Sequence, residues 1–124
     1  MPHQRTKLGD FGEQAAAAYL AKRGYQLLAR KWRCPAGEID LLMRDGPTLV
    51  FVEVRTRRDD RLGVAEESVG GAKQAKLIGL AYAYLEAISA PDDLPWRIDV
   101  VALNIDRVGR VARLRHIRDA VEEP

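Results

Sequence analysis

The chain has 124 residues and a mass of 13.9 kDa, and 47% of it is hydrophobic, enough to build one core in one domain. Its 20 basic and 18 acidic residues leave a net charge of only +2, so the field of the whole molecule attracts polyanions weakly. No apolar run approaches the roughly 20 residues that cross a bilayer, Met1 to Arg5 lack the apolar stretch of a secretory leader, and a lone Cys34 forms neither an internal disulfide nor a zinc site. The expectation is a cytoplasmic, single-domain protein with no membrane partner and a core spanning about residues 7–120.

The helical spacing of Leu8, Phe11, Ala15, Ala18 and Tyr19 predicts an amphipathic helix over residues 7–23, stopped by Gly24. Residues 25–33, between Gly24 and the breaker Pro35-Ala36-Gly37, read as a strand. Residues 38–44 and 48–57 are strand-like runs flanking Asp45-Gly46-Pro47 and predict a hairpin. Pro47 cannot take the positive φ of a type I′ loop, which predicts a loop longer than two residues. Residues 58–71 carry several charges and three glycines and read as a mobile connection. A second helix follows over residues 72–88, with Leu77, Leu80, Ala81, Tyr84, Leu85 and Ile88 as its buried stripe. Residues 96–103 read as a strand, and 110–117 as another after a turn at Arg107-Val108-Gly109.

Charge distribution says more than net charge. Fifteen of the basic residues are Arg and five Lys, and many cluster: Arg30, Lys31 and Arg33; Arg55, Arg57, Arg58 and Arg61; and Arg107, Arg110, Arg113, Arg115 and Arg118. The planar guanidinium suits phosphate oxygens, so these groups are compatible with nucleic acid, and equally with an ordinary Arg-rich solvated surface.

The hairpin makes a geometric statement. Asp40 lies six residues before Gly46 and Glu53 six residues after Pro47, so a symmetric loop sets them opposite each other with Cβ atoms roughly 4.5–5.5 Å apart. Alternation puts Glu38, Asp40 and Leu42 on one face with Phe51, Glu53 and Arg55, and Ile39, Leu41, Met43, Val50, Val52 and Val54 on the other, toward the core. Opposed carboxylates repel unless compensated. Their hard oxygens suit Mg²⁺ or Mn²⁺, with Arg55 placed to hold a phosphate. The same register sets Glu38 opposite Arg55, which is also the pattern of a solvent-facing salt-bridge ladder.

Asp40, a spacer of twelve residues, then Glu53-Val54-Arg55 resembles the PD-(D/E)xK nuclease superfamily. With Gly12-Glu13, Gly37-Glu38-Ile39-Asp40-Leu41, Phe51 to Arg57, Lys73-Gln74 and Arg97-Ile98-Asp99-Val100-Val101, the chain resembles the YraN family of small bacterial proteins, similar in fold to archaeal Holliday-junction resolvases. The resemblance implies an α/β, restriction-endonuclease-like αβββαβ core with a mixed central sheet flanked by helices. It implies Asp40 and Glu53 as ligands of Mg²⁺ or Mn²⁺, Glu13 and Glu38 as additional acids, Arg55 as a catalytic residue, and Arg57, Lys73 and Gln74 on the substrate. It also implies a nucleic-acid partner, DNA rather than RNA, and a homodimer. Arg55 stands where the superfamily pattern has Lys, and it binds phosphate well but accepts protons poorly. Two functions therefore follow from the resemblance: a metal-dependent endonuclease acting on branched or other structured DNA, and a nucleic-acid-binding module that has lost turnover. A third, an interaction protein with an acidic face, follows from the salt-bridge ladder.

Overall fold

A computed structural model describes residues 2–58 and 70–121, with side chains from residue 7 onward. The elements are α1 (Pro2–Lys22), β1 (Gln26–Cys34), β2 (Gly37–Asp45), β3 (Thr48–Arg58), α2 (Gly71–Ala87), β4 (Trp96–Ile105) and β5 (Val111–Ile117). The five strands form one sheet in sequence order, antiparallel except for the β3–β4 pair. That parallel pair requires a crossover, which α2 supplies. This is the expected αβββαβ core with β5 added at the edge. The connection expected at residues 58–71 falls largely outside the described residues.

The two helices cover opposite faces of the sheet. On the α1 face Ala16 and Leu20 pack on Leu41, Met43, Val50, Val52, Val101 and Leu103, all buried. On the other face Leu77, Leu80 and Ala81 of α2 pack on Leu42, Phe51, Ile98 and Val100. Edge-to-face ring pairs tighten this second layer, with Tyr84 5.2 Å from Trp32 and 5.8 Å from Phe51. Leu42 and Phe51 therefore lie in a core of their own, not on the solvent-facing side that the salt-bridge-ladder alternative required.

Three expectations are corrected. The hairpin loop has two residues, because Asp45 pairs with Thr48. Gly46 alone takes a positive φ, 58°, as a type II′ turn requires, and Pro47 then keeps the negative φ its ring imposes. The buried face of α1 centres on Gly12, Glu13, Ala16 and Leu20; of the expected stripe Leu8, Ala15 and Tyr19 pack against the core, whereas Phe11 and Ala18 are exposed. Glycine explains the offset: a Cβ at Gly12 would collide with Thr56 Oγ1 and lie 2.9 Å from Thr56 Cβ, so the helix rests on β3 through its smallest residue. In α2 the stripe ends early, for Ile88 caps the helix and is 47% exposed, and Ser89, at φ 52°, turns the chain away.

A buried polar cluster fastens the sheet near the hairpin. Asp99 is fully buried and accepts from Arg97 Nε (2.9 Å), His116 Nε2 (2.8 Å) and the Asp119 amide (2.9 Å). Arg97 also donates to the Tyr25 hydroxyl (2.6 Å) and to Asp45 (3.1 Å), tying β4 to the residue that precedes β1 and to the end of β2. Burial works against ionisation of Asp99, but these hydrogen bonds outweigh it and hold the carboxyl below the usual carboxylate range.

Candidate functional site

The regular β2–β3 register ends at Leu41↔Val52. Continued by one step it sets Asp40 opposite Glu53, as the hairpin count predicts. At that step the strands splay, and the Val54 amide donates to Asp40 Oδ2 at 2.8 Å. A side-chain carboxylate thus takes a backbone donor that a regular ladder would give to a carbonyl.

Strict alternation fails here too. Ile39 packs in the α2-face core beside Leu42, while Leu41 packs under α1. The fault extends into β1, where Lys31, between the Arg30↔Leu41 and Trp32↔Ile39 pairs, adopts φ 54°. A non-glycine residue there is strained, and the strain turns the Lys31 side chain toward α1. Its Nζ lies 2.8 Å from Asp10 Oδ1 and 3.0 Å from Glu13 Oε1.

Around Asp40 the acids converge. Carboxylate oxygens of Glu13, Glu38 and Asp40 lie within 4.8 Å of one another. Glu53, on the α2 side, is close enough to share a hydrogen bond with Asp40. Burial first, then the Glu53 charge, pushes the Asp40 carboxyl up to about 8, against the opposing Val54 hydrogen bond. Cations border the cluster: Lys73 Nζ is 3.1 Å from Glu53 Oε2, Arg33 Nε donates to Glu38 Oε2 at 2.7 Å, and Lys31 holds Glu13. Glu38 thus pairs across β1 with Arg33, its ladder partner there.

The structure brings together Asp40, Glu53, Glu13, Glu38 and Lys73. Arg55 is half-buried and Arg57 exposed, and both share the α2 face of β3 with Glu53. Gln74 lies in the first turn of α2 beside Lys73. Sequence reasoning placed Lys31 in a basic cluster but missed Asp10 and the pairing of Lys31 with Asp10 and Glu13. The available signal was Asp10 and Glu13 three residues apart on one helical face, an acidic pair that calls for a cation. A hollow of about 500 Å³ between the end of α2 and the start of β4, lined by Tyr82, Glu86, Asp92 and Trp96 among others, shares none of these residues.

Glu13, Glu38 and Asp40, with Glu53 beside Asp40, offer hard oxygen donors, one held ready by a backbone amide, that fit a small divalent cation better than a soft or tetrahedral one. Fold and site together define a mixed α/β protein with an αβββαβ core and a carboxylate cluster where β2 and β3 part. The profile described as "Uncharacterised protein family UPF0102" matches residues 12–103, and the chain belongs to that family. A UPF0102 protein of Roseiflexus castenholzii is 54% identical over 123 residues, 99% of each chain. One of Chloroflexus aurantiacus is 51% identical over 123 residues, again 99% of each, and one of Pelotomaculum thermopropionicum 45% identical over 120, covering 97% of this chain and 99% of the relative. Among the described residues no helix is long and apolar enough to cross a membrane.

Proposed function

We propose that the protein is a divalent-metal-dependent endonuclease that hydrolyses phosphodiesters in DNA, with branched DNA as the expected substrate class. The observation that carries this reading is the placement of Asp40: a half-buried carboxyl anchored by the Val54 amide with three other acids around it. Like charges packed this way are costly without a cation. Asp40 and Glu53 would hold Mg²⁺ or Mn²⁺, with Glu13 and Glu38 as further oxygen donors. When bound, the ion would lower the pKa of a coordinated water and offset charge on the phosphate. The chain's own part is positioning. Arg55 binds the phosphate oxygens through its planar fork. Lys73, at the start of a helix that has no side-chain cap, sets an ammonium and the positive end of the helix dipole toward the same phosphate.

A second reading, a DNA-binding module without turnover, draws on a specific observation. Lys31, Arg33 and Lys73 already compensate Glu13, Glu38 and Glu53, and Arg55 replaces the lysine of the nuclease pattern. Calorimetry with Mn²⁺, beside cleavage assays on duplex, flapped and four-way DNA, separates the two. The nuclease reading expects metal heat that Asp40→Asn abolishes and cleavage that Glu53→Gln abolishes. Absence of metal heat in the wild type overturns it, and metal binding or DNA binding without cleavage leaves the second reading.

A further inference from the structure

We propose that β5 extends the site into a track for the DNA phosphodiester backbone, formed by Arg55, Arg57, Arg113 and Arg115 on the α2 face of the sheet. This inference rests on the nucleic-acid reading above and adds to it a surface on the far side of β4.

The argument is one of register. Arg55 pairs with Ala102 of β4, which pairs with Arg115 of β5; Arg57 pairs with Asn104, which pairs with Arg113. Two parallel rows result, each with an arginine on either side of a short, buried β4 residue, Ala102 at 3% exposure and Asn104 at 2%. The face is fixed independently on each strand. Phe51 of β3 and Val100 of β4 lie in the α2-face core, Ile117 of β5 packs against it, and Leu114 packs on the opposite side. Period-two alternation then places all four arginines on the α2 face. Glu53 begins the same line, one step before Arg55, in register with Val100. Adjacent strands lie roughly 4.8 Å apart and two residues along a strand advance roughly 6.7 Å. The four positions therefore form a block running from the carboxylate cluster to the edge of the sheet, within reach of successive phosphates.

Chemistry selects the occupant. Arginine presents a planar, permanently charged donor fork that suits phosphate oxygens, and such contacts set the position of a nucleic acid without reading its sequence. Arg57, Arg113 and Arg115 are exposed. Asp106, the carboxylate at the β4–β5 turn, accepts from the amides of Val108 and Arg110 within that turn. A net charge of +2 gives little attraction spread over the whole surface, so a local block of this kind is what would orient a polyanion.

The test is the salt dependence of binding to a fluorescent DNA duplex, with EDTA present so that neither metal nor cleavage contributes. Arg113→Gln/Arg115→Gln should weaken binding severalfold and lower the slope of log affinity against log salt by roughly two phosphate equivalents. Arg113→Lys/Arg115→Lys keeps the charge and should keep the slope. The matched pair Arg23→Gln/Arg44→Gln, outside the block, should leave it unchanged. A wild-type chain that leaves the duplex unbound overturns the track, and so does an equal loss in the Lys pair or in the matched pair. Because metal is absent, the two failures are distinct. A track that fails while Mn²⁺-dependent cleavage persists leaves the nuclease reading standing, and a track confirmed without cleavage overturns only the nuclease.

Discussion

The amide of Val54 donates to Asp40 Oδ2 across 2.8 Å, at the step where β2 and β3 part. This bond fixes the carboxylate between the two faces of the sheet, within reach of Glu53 on one side and of Glu13 and Glu38 on the other. The bond therefore links a local fault in a hairpin to the convergence of four acids.

The pH dependence of the metal-free protein follows from Asp40. Its carboxyl rises in the fold from the ordinary value of 3.8 to about 8. Between those limits the folded state binds more protons than the unfolded, so this group's contribution is fully present below about pH 4 and is lost as pH climbs toward about 8. In EDTA, Asp40→Asn should remove that loss and melt above the wild type near about pH 8. Mn²⁺ must displace the proton, so wild-type metal affinity should rise with pH up to about 8 and then level. Scanning calorimetry and titration calorimetry across that range check both. A pH-independent affinity would contradict the carboxylate assignment.

Lys73 competes with the ion it is proposed to assist. Its ammonium, 3.1 Å from Glu53 and 40% exposed, acts as a removable counter-charge. Lys73→Met should tighten Mn²⁺ binding about two- to fivefold, the scale of a partly exposed ion pair, and lower cleavage by withdrawing a phosphate contact. Weaker metal binding in this variant would mean that Lys73 props up the cluster instead.

The hairpin was the legible part. Counting outward from Gly46 and Pro47 gave the register that sets Asp40 against Glu53, because side-chain period and turn symmetry are local properties. The order of helices and strands was equally legible from periodicity and breakers. Two things were not. The break in alternation at Ile39 depends on Lys31, on another strand, adopting a strained backbone, and nothing in residues 37–45 announces it. The buried face of α1 was read only in part: Leu8, Ala15 and Tyr19 do pack against the core, but apolarity also points to Phe11, whereas packing follows Gly12, whose contribution is the absence of a side chain. Glu13, placed near the site only by family resemblance, is buried for the same reason.

Gly12→Ala tests that contact. Ala is favoured over Gly in a helix interior by about 1 kcal/mol, so a simple helix would gain. Here the added methyl meets Thr56, and overpacking of this kind costs about 1–3 kcal/mol. We expect a net loss of stability in chemical denaturation, together with weaker Mn²⁺ binding as α1 carries Glu13 away from Asp40. Combination with Thr56→Gly should recover part of both, a non-additivity that a double-mutant cycle reads directly. Simple additivity would place the contact elsewhere.

Asp99 behaves oppositely to Asp40, and its prediction separates structure from function. Its carboxyl is held below the ordinary value by His116, Arg97 and the Asp119 amide acting against burial. The stability it gives is present above the unfolded value of about 4 and is lost as pH falls through the lower folded value. Asp99→Asn leaves Arg97 and His116 facing a neutral amide in a site with no exposure. Breaking a buried pair by neutralising one partner costs about 3–5 kcal/mol. Equilibrium denaturation near neutral pH should show that loss. Titration calorimetry of the still-folded fraction, at low temperature, should give Mn²⁺ affinity close to wild type, since none of the acids proposed to hold the metal touches Asp99 in the described hydrogen bonds and ion pairs. If affinity fell along with stability, the cluster at Asp99 would have to be coupled to Asp40 through the shared strands β2 and β3.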